Sequence, residues 1–293
     1  DVARVVKDHD RFPSLTQMRV GVQAERGMTP EDSFGASGNT SADAELYSSL
    51  AQLRARSRQM LRDSAYAKRA RLIVVNNVIG SGVGMQCQVT TTRDALNTRV
   101  NSDIEAAWFE WTDAARCHTG GALHFHDFER AALGEVFTAG EVFIRKHFRA
   151  FGDSRVPLAL ELIEAERVGA TMAEPGAVAP GAEMRMGIEI DGFGRPIAYW
   201  IRQRHTGDIS GGFSGHTDSY ERVPASDVWH LKVTDRWPQT RGEPWLHTVL
   251  RKIDEMNEYT GSEVSAARAS SYYFATIETP EGDHPLDSDT EAN

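Results

Sequence analysis

The sequence has little of what would mark a secreted or membrane-spanning protein. It has only two cysteines in 293 residues, Cys87 and Cys117. Nothing in their sequence contexts forces them into a disulfide, and a reducing compartment suits the chain. Its longest purely aliphatic run is Leu72–Val75, far short of the roughly 20 apolar residues that a spanning helix needs. The first residues lack the zones of a signal peptide. We therefore expect no membrane segment, and secretion is unsupported.

Positive charge is also scarce, with 32 Lys and Arg against 42 Asp and Glu, for a net charge of −10. Proteins that grip nucleic acid over their whole surface neutralise phosphates with Lys and Arg, so the balance argues against that class. Seven of the basic residues lie close together in residues 54–71, which leaves open a solvated helix face, a subunit contact or a surface near DNA. This basic run comprises Arg54, Arg56, Arg58, Arg62, Lys68, Arg69 and Arg71.

Catalytic and nucleotide-binding motifs are missing. The glycine-rich segment Gly80–Gly84 follows a predicted helix and precedes a predicted strand, and no Gly-Lys-Ser/Thr leads into a helix, so it does not match a phosphate-binding loop. The sequence has no Gly-x-Ser-x-Gly and no His-Glu-x-x-His. We predict no enzymatic activity and no cofactor.

One cluster of possible metal ligands makes a metal-dependent enzyme the alternative interpretation. It combines side chains that suit zinc or a similar metal, although the spacing fits none of the recurrent metal patterns. The other interpretation is a polar loop whose Asp127 lies near a helix start, where negative charge is favourable. The cluster comprises Cys117, His118, His124, His126 and Asp127.

Hydrophobic periodicity predicts an α+β fold with mostly antiparallel strands. Residues 25–45 hold almost no large apolar side chains, so we place an arm and linker over residues 1–44. We predict helices over 44–79 with a break at Asp63-Ser64, and over 94–115, 125–139 and 244–273. We predict strands over 85–91, 141–148, 158–168 and 227–233, and a hairpin over 186–201 that turns at Asp191-Gly192 and Gly194.

The last predicted helix would be roughly 45 Å long if continuous. Its polar side carries acids, and its small residues would allow close lateral contacts with other helices. These acids are Asp254, Glu255, Glu258 and Glu263.

Several short segments, in order, resemble the portal proteins of lambda-type tailed phages. Each is weak alone, but the ordered set spans about residues 45–280. The segments are Leu53–Ser57, Asp63–Tyr66, Asn77–Gly82, Ile104–Trp108, Gly140–Arg145, Gly187–Asp191, Pro196–Trp200, Val223–Ala225, Val228–Leu231, Gln239–Gly242, Pro244–Leu246 and Phe274–Glu278.

The resemblance implies a subunit of a dodecameric ring at one capsid vertex of the virion, assembled in the host cytoplasm. Double-stranded DNA would pass through its channel. The terminase, the major capsid or scaffold protein, and head-completion or tail adaptor proteins would be its partners. A tail or baseplate structural protein with a similar α+β wing is a further alternative.

By the same resemblance, residues 45–243 form a wing of helices packed on strands, residues 244–275 a stem helix, and residues 276–293 the start of a clip. Family members continue through a second stem helix and a crown, so we expect the chain to be incomplete. The four acids would face the channel or a neighbouring stem. The basic run would lie at a subunit interface or near DNA.

Overall fold

The computed structural model describes residues 40–91, 95–169, 178–205, 207 and 219–272. The predicted arm, apart from residues 40–44, and the predicted start of a clip lie outside these residues. The chain divides into two compact units, residues 1–251 and 252–293. Helices and antiparallel sheets make up the described part, which confirms the α+β prediction. None of its helices is long and apolar enough to span a membrane.

Two helices open the described chain, α1 (Ala42–Asp63) and α2 (Ala65–Ile79). The side chain of Ser41 accepts a hydrogen bond from the backbone N–H of Ala44 and caps α1. Ser64 is extended between the two helices, with φ −107° and ψ 122°. The predicted break at Asp63-Ser64 is confirmed.

Three further helices follow: α3 (Thr98–Trp111), α4 (Ala114–Cys117) and α5 (Phe125–Ala139). The prediction for α5 is confirmed. The prediction of one helix over 94–115 is wrong, because Asn97 caps the start of α3 and Asp113 caps a separate α4.

The predicted strand over 85–91 is also wrong. Side chains of α3 satisfy this segment's backbone in place of a neighbouring strand: Glu105 accepts from the N–H of Cys87, and Asn101 from that of Val89. Among the residues that the structure describes, the segment's β contact is an isolated bridge between Thr90 and Leu96.

In the described part of the chain, seven strands form two antiparallel sheets. One sheet has the order β2-β1-β7 and the other the order β3-β4-β5-β6. The predicted strand over 158–168 is shorter than expected, because Ala165–Arg167 form a 3-10 turn. The strands are β1 (Glu141–His147), β2 (Ala159–Ile163), β3 (Glu183–Arg185), β4 (Ile188–Ile190), β5 (Pro196–Arg202), β6 (Tyr220–Pro224) and β7 (Val228–Lys232).

The predicted hairpin is confirmed as β4 and β5. The Asp191 carbonyl accepts from the N–H of Gly194, whose φ is +80°, and the Asp191 side chain accepts from the N–H groups of Phe193 and Arg195. A short Asx-type turn thus closes the hairpin.

The two faces of strand β1 pack into two different hydrophobic cores. Val142 and Ile144 face α5, where they pack with Phe128 and Leu160. Phe143 faces the other way and packs with Tyr199 and other residues of the second sheet. This alternation follows from the two-residue period of a strand.

The last described helix is α6 (Leu250–Tyr272). The prediction that it starts at residue 244 is wrong. The Pro244 carbonyl accepts from the N–H of His247 in a turn, and Trp245 donates its N–H to the Phe137 carbonyl at the end of α5. With 23 residues, α6 is about 34 Å long, and Gly261 lies inside it without ending it.

Candidate functional site

The four predicted acids lie on α6, and all of them are exposed. Successive residues of a helix are about 100° apart around its axis. Asp254, Glu255 and Glu258 therefore share one side of α6, whereas Glu263 lies nearer the side that carries Met256. Within the described part of α6 only Leu250 is buried. Met256, Tyr259 and Val264 of α6 are exposed as well.

The basic run is not one continuous surface. Arg62, Lys68 and Arg69 are exposed at the corner between α1 and α2, and Arg56 is half-buried. Arg71 is also half-buried and donates to the Gly134 carbonyl of α5 at 3.3 Å. The exposed part of the basic run is therefore confined to this corner.

Arg54 and Arg58 do not belong to this exposed corner. Arg54 is buried and donates to the Ala139 carbonyl and to Glu141. Arg58 forms ion pairs with Glu135 and Glu166, both at 2.8 Å. Both guanidinium groups turn toward acids of the same chain because burial requires an ionic partner.

Glu141 is a fully buried ionic group that the sequence did not single out. Its Oε1 accepts from Arg54 and, at 2.6 Å, from Arg241. Its Oε2 accepts from the N–H of Gly242 at 2.8 Å and from His230 at 2.7 Å. One carboxylate therefore links α1, β1, β7 and the segment that precedes α6. We call Arg54, Glu141, His230 and Arg241 the Glu141 cluster.

The pKa shifts in the Glu141 cluster follow from the burial of its charged groups close to one another. Burial by itself would raise the pKa of Glu141, but Arg241, Arg54 and the hydrogen bond from His230 hold it well below its usual range. Burial lowers the pKa of Arg54 to about 10, against the opposing effect of Glu141. Burial likewise lowers the pKa of His230. Glu141 is therefore ionised, and its charge holds two buried cations.

Arg241 fixes the loops around the Glu141 cluster. Its side chain is fully buried and donates to backbone carbonyls of Ala165, Gly169 and Met186. These carbonyls lie outside regular strands. The Arg241 N–H groups therefore take the place of the hydrogen bonds that a neighbouring strand would supply. The cluster thus connects the loops around it, and it has the burial of a structural centre.

Two glycines bring the backbone close to the Glu141 cluster. Gly140 has φ +88°, and a Cβ there would lie 2.2 Å from the carbonyl carbon of Glu243. A Cβ on Gly242 would lie 2.2 Å from the Gly140 carbonyl oxygen. The end of α5 and the segment before α6 are therefore in direct backbone contact, which only glycine permits.

The predicted metal cluster is dispersed. Cys117 is buried, its Sγ lies 3.5 Å from the Leu123 carbonyl oxygen, and burial raises the pKa of its thiol to about 11, which disfavours the thiolate that binds metals. The His118 ring contacts Phe128, and its Nδ1 accepts from the N–H of Ala122.

The remaining members of the predicted metal cluster have other neighbours. His124 Nδ1 lies 3.9 Å from Asp113, and His126 Nδ1 lies 3.8 Å from Glu129. Asp127 occupies the first turn of α5, as the polar-loop interpretation expects. Among the described residues, no three His, Cys, Asp or Glu side chains are placed to hold a metal ion, and nothing in this geometry favours the metal-dependent enzyme.

Two known proteins are similar to parts of this chain. The probable portal protein of Halomonas phage phiHAP-1 is 30% identical over 264 residues, covering 86% of this chain and 49% of that protein. The chain therefore spans about half the length of this curated relative. A chain in the solved neck of an empty GTA particle, computed with C6 symmetry, has a TM-score of 0.42 at 11% identity, covering 76% of this chain and 48% of that one.

A family model gives the assignment. The model described as "Phage portal protein, lambda family" matches residues 33–293. The match covers every helix and strand described above, together with the Glu141 cluster and the acids of α6. The chain belongs to the lambda family of phage portal proteins.

Proposed function

We propose that this chain is part of a portal subunit, one of the copies that form a ring-shaped channel at a capsid vertex. The match to the lambda portal family over residues 33–293 carries the proposal. Residues 45–243 would be the wing, the helix α6 the first stem helix, and residues 276–293 the start of the clip. The subunit itself performs no chemistry, because the packaging motor is a separate partner.

The net charge of the chain and the acids of α6 support a channel for DNA. A passage through which DNA slides should repel phosphates, since Lys and Arg would hold them. The net charge is −10, and Asp254, Glu255 and Glu258 share one exposed side of α6. We propose that this side faces the channel or a neighbouring stem helix. The exposed Arg62, Lys68 and Arg69 would lie at a subunit interface or near DNA at the wing.

The partners follow from this role. Double-stranded DNA would pass through a homo-oligomeric ring, with a dodecamer as the expected assembly. The terminase would dock during packaging and be replaced by head-completion or tail adaptor proteins, while capsid or scaffold protein would surround the ring. Its place would be the virion, after assembly in the host cytoplasm.

Reversing the three acids of one α6 side tests the proposed channel. In the complete gene product, Asp254→Lys with Glu255→Lys and Glu258→Lys should reduce DNA-filled particles by about tenfold or more, because three lysines per subunit would hold phosphates in the passage. The measurement is nuclease-protected DNA per particle, followed by triggered ejection.

A matched control reverses three exposed acids of the other unit, Glu164→Lys, Glu183→Lys and Asp235→Lys. It makes the same change in net charge and should leave packaging within about twofold. Unchanged packaging and ejection in the α6 variant would refute the assignment of these acids.

A further inference from the structure

A cleft of about 340 Å³ opens between the β4-β5 hairpin on one side and β7 with the segment 237–240 on the other. Its floor belongs to the hydrophobic core that the two sheets share, because Ile188, Tyr199 and Val228 line the cleft and are part of that core. At its rim, Trp237 is 75% exposed. We call this the Trp237 cleft, defined by Ile188, Ile190, Tyr199, Val228, Trp237 and Gln239.

Gln239 brings an unused hydrogen-bond donor to the Trp237 cleft. The residue is only 4% exposed, and its Oε1 accepts from the N–H groups of Asp235 at 3.0 Å and Arg236 at 3.3 Å. These two contacts identify the oxygen of the amide, so its other end, Nε2, is the donor. Within the described part of the chain, Nε2 has no hydrogen-bond partner. Because a buried donor without an acceptor is costly, the cleft favours an occupant that brings an oxygen acceptor together with apolar surface.

Charge does not select the occupant, because the basic side chains that line the cleft already have partners. Arg185 forms ion pairs with Asp43 and Glu183. The Lys232 ammonium donates to two backbone carbonyls of the segment 237–240, and His230 belongs to the Glu141 cluster. The donor that remains is a neutral amide, for which a backbone carbonyl is a sufficient acceptor.

The first described residues of the chain lie at the rim of this cleft. The Arg236 guanidinium donates to the Thr40 carbonyl at 2.7 Å. Asp43 accepts from the N–H and the hydroxyl of Thr240 at 2.7 and 2.6 Å, and it lies 3.4 Å from the Arg185 guanidinium. Thr240 and Arg185 both line the cleft. The residues that precede Thr40 therefore join the described part of the chain beside the Trp237 cleft.

The sequence before Thr40 offers one apolar anchor within reach. Phe34 lies six residues before Thr40, and residues 29–39 hold no other aromatic or long aliphatic side chain. Six residues of extended chain span up to about 20 Å. The family match begins at residue 33, so Phe34 lies inside the matched region. A tether this short keeps the Phe34 ring at a high local concentration beside the cleft, which favours the chain's own Phe34 over that of a second copy.

We propose that Phe34 docks in the Trp237 cleft of its own chain, and that a backbone carbonyl beside Phe34 accepts a hydrogen bond from Gln239 Nε2. The Phe34 ring covers the exposed face of Trp237, as aromatic pairs do in cores and interfaces. The end of the predicted arm then holds the β4-β5 hairpin against the segment 237–240. This contact lies within one subunit, so it does not depend on the proposed ring.

Photo-cross-linking in the complete gene product locates Phe34. With p-azidophenylalanine in place of Phe34, which keeps an aromatic ring there, illumination should link position 34 to residues 188–199 or 228–240, as identified by peptide mass mapping. Mixing isotope-labelled with unlabelled protein before assembly separates links within one chain from links between copies, and the links should lie within one chain. The same probe in place of Phe12 is the control and should link to the cleft about tenfold less, because its tether is much longer.

Gln239→Glu tests the hydrogen bond. It keeps an oxygen that accepts from Asp235 and Arg236 but replaces the donor with a second oxygen, which repels a carbonyl. The yield of cleft cross-links should fall by about fivefold or more, with thermal unfolding as the check on folding. Gln203→Glu makes the same chemical change at an exposed residue outside the cleft, and it should leave the yield unchanged.

Phe34→Ser removes the proposed anchor without altering any residue of the cleft. The amide hydrogens of residues 33–37 should then exchange with solvent about tenfold faster than in the wild type, as measured by mass spectrometry, while those of α5 keep the wild-type rate. Phe12→Ser is the matched control and should leave the exchange of residues 33–37 unchanged.

Cross-links within one chain to the cleft, their loss in Gln239→Glu and faster exchange in Phe34→Ser support the proposal. Links that join only different copies overturn the assignment to the same chain, and links outside the cleft or equal exchange in Phe34→Ser and the wild type overturn the docking itself. An unchanged yield in Gln239→Glu overturns the hydrogen bond, and if that variant unfolds, the exchange of Phe34→Ser decides. None of these results bears on the assembly state, so the proposed portal role stands or falls separately.

Discussion

Replacing Glu141 by Gln is expected to lower the free energy of unfolding by about 3–5 kcal/mol, because it leaves two buried cations without a counter-charge. Arg54 and Arg241 both donate to Glu141 Oε1, and all three side chains are almost fully buried. Water cannot replace the lost charge at that depth. Chemical denaturation of the chain at neutral pH measures the loss.

The matched control is Glu183→Gln. Glu183 pairs with Arg185 at 3.0 Å, but its side chain is largely exposed, so the loss should stay within about 1 kcal/mol. Adding Arg54→Met to Glu141→Gln should cost less than the sum of the two changes, since it removes one of the unpaired cations. Equal losses for Glu141→Gln and Glu183→Gln would contradict the central role given to the Glu141 cluster.

Replacing Gly140 by Ala should be nearly as damaging, through the backbone and not through charge. The new Cβ would lie 2.2 Å from the carbonyl carbon of Glu243, and neither segment can move without disturbing the Glu141 cluster. We expect the free energy of unfolding to fall by about 3 kcal/mol or more, because the cost of overpacking adds to the cost of a positive φ.

Gly194→Ala separates these two costs. Gly194 has φ +80°, and nothing lies within 4 Å of a Cβ built there. Gly194→Ala should lower the free energy of unfolding by about 1–2 kcal/mol. The same denaturation measurement applies, and a Gly140→Ala loss no larger than that of Gly194→Ala would refute the close approach between the end of α5 and the segment before α6.

Local signals predicted much of the fold. The extended Ser64 between α1 and α2, the glycine after α5 and the Asp191 turn of the β4-β5 hairpin act over a few residues, so a sequence pattern is enough to find them. A helix over most of α3 was also predicted, but the burial of Trp111 and the exposure of Val100 depend on tertiary packing.

The sequence could not predict which residues pair when they lie far apart along the chain. Arg54 and Glu141 lie 87 residues apart, and a buried arginine in a basic run has the same local pattern as a solvated one. A signal did exist in β1, where Glu141 shares the inward face of Phe143 two residues later. An acid at such a position implies a buried cationic partner, but not which one.

Two of the wrong secondary-structure predictions have a similar origin. The segment around Val89 alternates like a strand, but Asn101 and Glu105 of α3 bind its N–H groups. The segment Pro244–Val249 has no residue that forbids a helix, yet the contact from Trp245 to Phe137 holds it in turns. In both cases a contact far along the chain decided the local structure.

The most direct test of the account is the assembly state of the complete gene product. Mass photometry with negative-stain imaging should show a closed ring of identical subunits around a central channel wide enough for duplex DNA. A compact monomer at all protein concentrations would contradict the proposed portal role.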